Sequence, residues 1–350
     1  MLKNSGKVVT IYDIAAELGL STSTVSRSLN NSNDVNKKTQ KRVLDASCKM
    51  GYTSNLLASG LRNRRSNTIG VIIPRLNSAF MSGAIAGIEN IINQAGYNLV
   101  ISQSLENVDR EVSCTESMLS NRVAGLIVSL AGDIGSADHF ESFEKHGVPV
   151  VFFDRVYDNE KYLNIQIDNF KAAYTITDHL AKQGCREIIH ITANRLHTVY
   201  QHRVNGYLRA LENNGIAFNE KMLIKCDLSD AAGKTVAKQI LSMGSRPDGI
   251  FSANDVCAIG CLTELKKSGI SIPEDIAVAG FNDDPDCCLI EPNLTTIGYD
   301  AFGMGELSAR VMLEQLSDSF AIPARYSVFM PYHVIIREST KKEKDRVAAV

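Results

Sequence analysis

From residue 68 onward, short apolar runs rich in β-branched residues alternate with longer segments whose apolar residues recur at helical spacing. Continuous apolar runs indicate strands buried on both faces, and intervening helices indicate parallel strands joined by crossovers. The predicted strands cover residues 69–73, 98–102, 125–130, 149–153, 187–192, 249–252 and 276–281. The predicted helices cover residues 81–95, 109–121, 138–146, 169–183, 200–214, 230–243 and 254–268. The alternation therefore predicts an α/β fold built on parallel sheets.

Seven strand–helix units are too many for one small doubly wound domain. The first strand is not followed by a GxGxxG sequence, and the chain contains no P-loop sequence (GxxxxGK followed by Ser or Thr), so both nucleotide-binding signatures are missing. Two similar half-domains that face a cleft fit the pattern better. Because ligands of open parallel sheets bind beyond the carboxyl ends of the strands, we expect a ligand site in that cleft.

Charge is distributed unevenly along the chain, whose formal net charge is −2. Residues 1–65 contain eleven lysines and arginines against four acidic residues, a net charge of +7, and the remaining residues carry −9. A cationic segment ahead of an anionic one indicates that the first segment meets a polyanion. A merely solvated basic surface would have the same composition, so the charge alone does not decide between them.

Two short helices are predicted at the start of this cationic segment. Thr10 precedes apolar residues at helical spacing and is a candidate N-cap, and Gly19 ends that helix at a tight turn. Ser21 is the next N-cap candidate and opens a second helix over residues 22–29.

A third helix is predicted over residues 36–50, with Val43, Leu44 and Cys48 facing inward and Gly51 ending it. A helix, a glycine turn, a second helix and a supporting helix together make the helix-turn-helix pattern of DNA-binding proteins.

The second helix has two different faces. Val25 and Leu29 fall on one side, where they can pack against the first helix. The opposite side carries only short hydroxyls and one arginine, namely Thr22, Ser23, Ser26 and Arg27. Such side chains suit a helix lying in the major groove, because hydroxyls reach bases at close approach and Arg can bond a guanine with two hydrogen bonds.

The stretch from residue 10 to residue 30, TIYDIAAELGLSTSTVSRSLN, resembles the N-terminal signature of the LacI/GalR family of bacterial transcription regulators. The resemblance continues to about Ser339 through IGVIIP at 69–74, SAND at 252–255 and AGFND at 279–283. It implies a sequence-specific DNA-binding regulator, with a repressor expected. The implied fold is an all-α helix-turn-helix domain followed by a two-lobed α/β sensor of the periplasmic-binding-protein type.

The same resemblance assigns roles to individual residues near the N-terminus. Thr22 and Ser23 occupy the positions that choose the operator sequence, and Arg27 is a base or phosphate contact. The residues implied to hold the DNA backbone are Thr10, Tyr12, Ser21, Thr24, Ser26, Asn30 and Tyr52.

Residues 54–67 form a linker rich in Arg and Asn, which in the family becomes a short hinge helix on operator DNA. Asn55 belongs to the implied DNA contacts, and Leu61 matches a leucine that wedges into the minor groove, although it could instead pack on the sensor. Ser54 replaces the family's usual proline, and Gly60 lowers helix propensity by about 1 kcal/mol relative to Ala. We therefore expect a hinge that depends on DNA for its order more than is usual.

We expect a DNA-binding domain at 1–53, the hinge and linker at 54–67, an effector-binding and dimerisation domain at 68–340 and a tail at 341–350. The resemblance divides the sensor into a first lobe (68–163 with 298–326) and a second lobe (164–297 with 327–340). It also implies a homodimer that places two helix-turn-helix units on near-palindromic double-stranded DNA. The sequence leaves open whether the effector releases or promotes DNA binding.

Side chains at the ends of predicted strands are the candidates for effector contacts, since polyols need paired hydrogen-bond donors and acceptors and an aromatic face. The candidates are Asn77, Phe80, Asp154, His197, Arg203, Asn254 and Asn282. Arg203 and Asn254 match the family's ligand contacts, whereas Phe80, Asp154 and His197 could equally be packed strand-end residues. The expected effector is a small molecule of the sugar or sugar-derivative class.

An anionic sugar is a further hypothesis about the effector. The family commonly has an acid where Asn282 stands, and an amide removes that charge. Positive charge near the cleft could come from Arg75, Arg155, Arg195, Arg203 and His197.

Other classes of protein lack their signatures in this sequence. The histidines are scattered and the chain has no GxSxG sequence, which argues against an enzyme. A periplasmic transport protein is the other alternative, but it needs a signal peptide, and Asp13 and Glu17 interrupt the apolar stretch near the N-terminus. The chain has no run of 18 apolar residues and no zinc-site spacing among its eight cysteines. We expect a cytoplasmic protein without membrane span, metal or cofactor.

Overall fold

The computed structural model describes residues 9–29, 34–52, 66–132, 138–157, 161–194, 197–317 and 327–342. Contacts within the chain divide it into two compact units, the head (Met1–Ser66) and the body (Asn67–Val350). None of the described helices combines the length and the apolar character needed to cross a membrane.

The described part of the head contains the helices α1 (Ile11–Leu18), α2 (Thr22–Leu29) and α3 (Lys37–Met50). Thr10 precedes α1, and its backbone N–H and hydroxyl both donate to the Asp13 carboxylate, at 2.7 and 2.6 Å. Gly19 ends α1 with a φ of 64°, in the left-handed region that glycine tolerates best. The Ser21 hydroxyl accepts the Thr24 N–H at 3.2 Å, which confirms the predicted N-cap of α2.

The core of the head is small and consists of Ile14, Ala15, Val25 and Val43, with a ring of half-buried side chains around them. The prediction for α3 is wrong at two positions, because Leu44 is 44% exposed and Cys48 is also exposed. Val43 points inward, and the residue four positions later is Ser47, which is buried. Leu44 and Cys48 lie about 100° further around the helix and therefore face away from the core.

Lobe N of the body is a parallel sheet of six strands flanked by helices. The strands are β1 (Thr68–Ile73), β2 (Asn98–Gln103), β3 (Gly125–Val128), β4 (Val150–Phe153), β5 (Leu163–Ile167) and β11 (Ser327–Met330), in the order β11-β5-β4-β3-β1-β2. The helices are α4 (Ala79–Gln94), α5 (Val108–Ser120), α6 (Asp138–Lys145) and α11 (Ala301–Leu316). Val71 joins one buried cluster and Ile72 another, so both faces of β1 are covered, which explains its continuous apolar sequence.

Lobe C has a second parallel sheet. Its strands are β6 (Ile188–Ala193), β7 (Leu223–Cys226), β8 (Gly249–Ser252) and β9 (Ala277–Ala279), in the order β7-β6-β8-β9. An antiparallel pair, β10 (Thr296–Gly298) and β12 (His333–Ile335), lies beside β9 through the single bridges Ala279–Thr295 and Asn282–Gly298. The helices are α7 (Asn169–Lys182), α8 (Thr198–Asn213), α9 (Asp230–Leu241) and α10 (Asp255–Lys267). A helical head and a two-lobed body with parallel sheets confirm the predicted fold class.

The boundary drawn between the lobes from the sequence is wrong at two strands. It assigns β5 and β11 to the second lobe, but β5 pairs with β4, and β11 pairs with β5, so both belong to lobe N. Neither strand gives a continuous apolar run, because β5 reads LNIQI and β11 has a half-exposed alternating pattern. The chain therefore passes between the lobes after β5, before α11 and between β11 and β12.

Glycines let α4 and α11 cross in close contact. A Cβ atom on Gly87 would lie 2.0 Å from the Phe302 carbonyl oxygen, and one on Gly305 would lie 1.9 Å from the Ala84 carbonyl oxygen. Only a residue without Cβ permits this approach of two backbones. The crossing fixes α11 on lobe N although α11 follows almost the whole of lobe C in sequence.

Candidate functional site

Helix α2 presents a polar face to solvent. Val25 and Ser28 are buried against the rest of the head, whereas Ser23 and Arg27 are exposed, and Thr22, Thr24 and Ser26 are half-buried. The Ser21 hydroxyl lies 2.9 Å from the Ser23 hydroxyl and 2.8 Å from the Thr24 hydroxyl. This face therefore offers short hydroxyls, held by their neighbours in the chain, and one long guanidinium.

The other residues predicted to contact DNA lie at α1 or just after α3, or they fall outside the described residues. Tyr12 is 70% exposed on α1, and Thr10 is exposed at its start. Tyr52 is half-buried and packs against the core of the head. The residues outside the described part of the chain are Asn30, Asn55 and Leu61, together with Ser54 and Gly60 of the predicted hinge.

The two lobes of the body line a cleft of about 610 Å³ at the carboxyl ends of their strands. All seven side chains predicted to contact an effector line this one cleft: Asn77, Phe80, Asp154, His197, Arg203, Asn254 and Asn282. Strand β1 leads to Asn77, β4 to Asp154, β8 to Asn254 and β9 to Asn282. The fold thus brings together the side chains that were predicted from the strand ends, while effector binding by them stays a prediction.

Arg203 is a rigid cation in the wall of the cleft, with only 4% of its surface exposed. Its Nε donates to Asn169 Oδ1 at 2.9 Å, and its Nη1 donates to the Ala253 carbonyl at 2.6 Å. Its guanidinium carbon lies 3.5 Å from the centroid of the Phe281 ring, which adds a cation–π contact. A ligand would therefore meet a donor group whose position is already set.

A tyrosine hydroxyl joins polar groups from both lobes. The Tyr299 hydroxyl donates to Asn282 Oδ1 at 3.2 Å and lies 3.5 Å from Asp154 Oδ1. Burial raises the pKa of Tyr299 well above its usual value, so the hydroxyl keeps its proton. Asp154 and Asn282 have φ values of 58° and 120°, which L-residues rarely adopt. Strained backbone at both positions is typical of a binding site whose side chains are held in place.

Asn254 holds two parts of the lobe C wall together. Its Oδ1 accepts the Cys257 N–H at 3.1 Å and so caps α10, while its Nδ2 donates to the Leu228 carbonyl at 3.0 Å. Both ends of the amide thus have a structural role. A contact with an effector would have to use the second lone pair of Oδ1.

A carboxylate in the cleft pairs with several of the cations that line it. Arg155 donates to both oxygens of Glu106, at 2.7 and 3.3 Å, and Arg75 Nε lies 3.5 Å from Glu106 Oε1. Arg155 also reaches lobe C, where its Nη2 donates to the Tyr200 hydroxyl at 3.4 Å and its Nη1 lies 3.5 Å from His197 Nε2. Burial raises the pKa of Glu106, but hydrogen bonding to His197 and the charge of Arg155 lower it to about 2.

Glu106, Tyr200 and Tyr299 also line the cleft, although they are not among the residues predicted from the sequence. Glu106 lies three residues beyond β2, so the strand-end argument would have found it if it had been applied to that strand. Tyr299 follows β10, which is too short for its sequence to predict a strand. Among the cations counted for an anionic effector, Arg195 lies outside the described residues.

Comparisons with known proteins match both the head and the body. Residues 10–55 match the family described as bacterial regulatory proteins, lacI family, and residues 177–340 match the periplasmic binding protein-like domain. The chain is 29% identical over 344 residues to the ribose operon repressor of Bacillus subtilis (strain 168), covering 96% of this chain and 100% of that protein. It is 28% identical over 334 residues to catabolite control protein A of Priestia megaterium, covering 95% and 99%.

A solved structure also aligns along almost the whole chain. The crystal structure of the lac repressor dimer bound to operator and the anti-inducer ONPF matches with a TM-score of 0.83 and 28% identity, covering 95% of this chain and 99% of that chain. Head and body therefore have counterparts in the same proteins, in the same order.

Proposed function

The chain belongs to the LacI family of bacterial transcriptional regulators, and we propose that it is a homodimeric repressor whose affinity for its operator depends on a sugar-sized effector in the cleft. One observation supports this proposal most strongly. The basic head presents the short polar side chains of α2, and in the same chain the seven side chains predicted to contact an effector line one cleft. The named relatives are transcriptional regulators. We also propose that the protein has no catalytic activity and acts in the cytoplasm.

At the DNA end, α2 lies in the major groove of each half-site, with Thr22 and Ser23 against base edges and Arg27 against a guanine or a phosphate. The side chains that hold the DNA backbone are Thr10, Tyr12, Ser21, Thr24, Ser26, Asn30 and Tyr52. Residues 1–53 form this DNA-binding domain, and residues 54–67, with Asn55 and Leu61, form the hinge. The lac repressor dimer solved on its operator supports this arrangement.

At the effector end, a ligand joins groups of lobe N, such as Asp154, to groups of lobe C, such as Arg203 and Asn254. Joining the lobes shifts them, and in a dimer such a shift changes the spacing of the two DNA-binding domains. A coupling of about 1–3 kcal/mol would change operator affinity about 5- to 150-fold, and operator binding would change effector affinity by the same factor. The ribose operon repressor among the relatives supports a sugar as the effector.

Selection of DNA fragments from the host genome by the purified full chain tests this proposal. We expect a few fragments to be retained. In fluorescence anisotropy, the logarithm of their binding constant should fall linearly with the logarithm of the salt concentration. A panel of neutral sugars should contain one that changes this affinity about 5- to 150-fold. The Arg27→Ala variant is the matched control and should bind the selected fragments more weakly than the wild type. A chain that binds no fragment more tightly than random DNA in dilute buffer would overturn the proposal.

A further inference from the structure

Acidic side chains outnumber arginines on the walls of the cleft. Three arginines line it, Arg75, Arg155 and Arg203, against five acidic side chains, Glu106, Asp154, Asp227, Asp284 and Asp286. Burial, together with Asp255, Asp286 and Asp283, raises the pKa of Asp284 to about 7, which reflects the crowding of carboxylates on the lobe C wall. The number of cations near the cleft therefore does not by itself indicate an anionic ligand, because acidic side chains line the same walls.

Glu106 is an acid that forms ion pairs with two of these arginines. Its side chain is 14% exposed and pairs with both nitrogens of the Arg155 fork, while Arg75 lies at 3.5 Å and His197 Nε2 at 3.8 Å. A two-bonded arginine–carboxylate pair is the arrangement with which proteins usually bind a ligand carboxylate or phosphate. In this cleft the protein itself supplies the anion.

The position of Glu106 is built into the backbone. Leu105 and Glu106 have φ values of 53° and 60°, so two consecutive non-glycine residues adopt the left-handed conformation. Asn107 then caps α5, because its Oδ1 accepts the Arg110 N–H at 2.9 Å. A strained turn fixed directly to a helix start holds the carboxylate against Arg155.

We propose that Glu106 is a specificity-determining residue of the cleft, whose carboxylate occupies Arg155 and Arg75 and thereby restricts the effector to uncharged polyols or sugars. The inference rests on the proposed function, since it assumes that the effector binds in this cleft. A phosphate or carboxylate placed against Arg155 and Arg75 would meet the fixed negative charge of Glu106. A neutral hydroxyl group can bond to the same carboxylate or to Arg203 without that repulsion.

Calorimetric titration of inorganic phosphate into the full chain at pH 7 tests this role. We expect Glu106→Gln to bind phosphate at least about tenfold more tightly than the wild type, because a charge-assisted arginine–phosphate pair becomes available. Glu106→Asp keeps the charge and should behave as the wild type. The double variant Glu106→Gln/Arg155→Gln should lose the gain, which distinguishes the cleft from phosphate bound by the basic head.

Equal phosphate affinities in the wild type and Glu106→Gln would overturn the inference. If Glu106→Gln does not fold, titration of the wild type with ribose 5-phosphate and glucuronate decides the matter, since tighter binding of either one than of ribose or glucose contradicts the proposed role. Absence of binding by both anions supports it. Operator binding, measured without any sugar, reports separately on the proposed function and is not affected by these outcomes.

Discussion

The polar side chains of α2 and those of the cleft are held in opposite ways. On α2 the partners are near in sequence, as when Ser21 accepts the Thr24 N–H and Ser28 donates to the Thr24 carbonyl four residues away. In the cleft the partners are distant, since Arg203 bonds to Ala253, 50 residues further on. Glu106 and Arg155 are 49 residues apart.

This difference corresponds to two ways of presenting polar groups. The head leaves Ser23 and Arg27 exposed, and among its described residues it has a core of four buried apolar side chains. The body holds Arg203 and Glu106 of the cleft through partners on other parts of the chain. Because Arg27 of the head is exposed whereas Arg203 of the cleft is buried and hydrogen-bonded, substitutions in the two regions should have different consequences.

The largest effect is expected for Arg203→Ala in the cleft. The substitution leaves Asn169 Oδ1 and the Ala253 carbonyl without their donor in a buried environment, and an unsatisfied buried polar group costs about 1–3 kcal/mol. We expect the free energy of unfolding of the body to fall by about 3 kcal/mol. Urea unfolding followed by circular dichroism measures it.

Arg209 on the same helix is the matched control for Arg203. It pairs with Glu212 at 2.6 Å, but both side chains are more than half exposed, at 56% and 68%. Exposed pairs contribute less than about 1 kcal/mol, so Arg209→Ala should have little effect. A similar loss for both variants would contradict the distinction between buried, preset groups and solvated ones.

The second-largest effect is expected for Arg27→Ala, which should lower the affinity for DNA without changing the stability of the head. Arg27 is exposed on α2, so Arg27→Ala removes no contact that the head needs for folding. We expect the affinity for a selected operator to fall by about 2 kcal/mol, close to 30-fold, at fixed salt. Anisotropy with selected and random DNA separates two roles: a loss on the selected fragment alone indicates a base contact, and an equal loss on both indicates a phosphate contact. An unchanged affinity for both would exclude Arg27 from the interface.

Acid should weaken the body through a group that the head does not have, because all seven histidines lie in the body. His190 is fully buried, and its Nδ1 lies 3.0 Å from the Phe251 carbonyl. Burial lowers the pKa of His190 to about 3. Between pH 6.5 and 3 the unfolded chain binds a proton that the folded chain does not, so stability falls as the pH falls.

The expected loss from His190 is about 1.5 kcal/mol between pH 6.5 and pH 5. His190→Phe keeps a flat ring but cannot titrate. Between pH 6.5 and pH 5 its unfolding free energy should therefore fall by about 1.5 kcal/mol less than that of the wild type. Urea unfolding of the two proteins at both pH values measures the difference. Parallel pH profiles would show that this imidazole is protonated in the folded state as well.

The head was more fully predictable from sequence than the cleft, because its polar groups interact with residues that are near in sequence. The cap at Ser21, the turn at Gly19 and the polar face of α2 depend on residues within four positions of each other, which spacing reveals. Leu44 and Cys48 were misplaced because a shift of one position turns a residue by about 100° around a helix.

The cleft was predictable only as far as strand ends could be located. The ends of β1, β4, β8 and β9 gave four of its side chains directly, because each strand reads as an apolar run. Tyr299 was missed with β10, and β5 and β11 were placed in the wrong lobe. The pairing of Glu106 with Arg155 joins two loops of one lobe, and no sequence spacing reveals which loops meet.

The smallest effect is expected at Ser21, whose hydroxyl makes only local contacts at the start of α2. Ser21→Ala removes the acceptor for the Thr24 N–H and the hydroxyl that contacts Ser23 and Thr24, and loss of such an N-cap costs about 1 kcal/mol. Hydrogen exchange of the α2 amides should speed up by about fivefold, while exchange in the body stays unchanged. Ser21→Thr retains the capping oxygen and should exchange like the wild type. If the exchange rates of the α2 amides did not change in Ser21→Ala, α2 would be stabilised by contacts other than its local hydrogen bonds. The contrast between a head held by local contacts and a cleft held by contacts between distant residues would then fail.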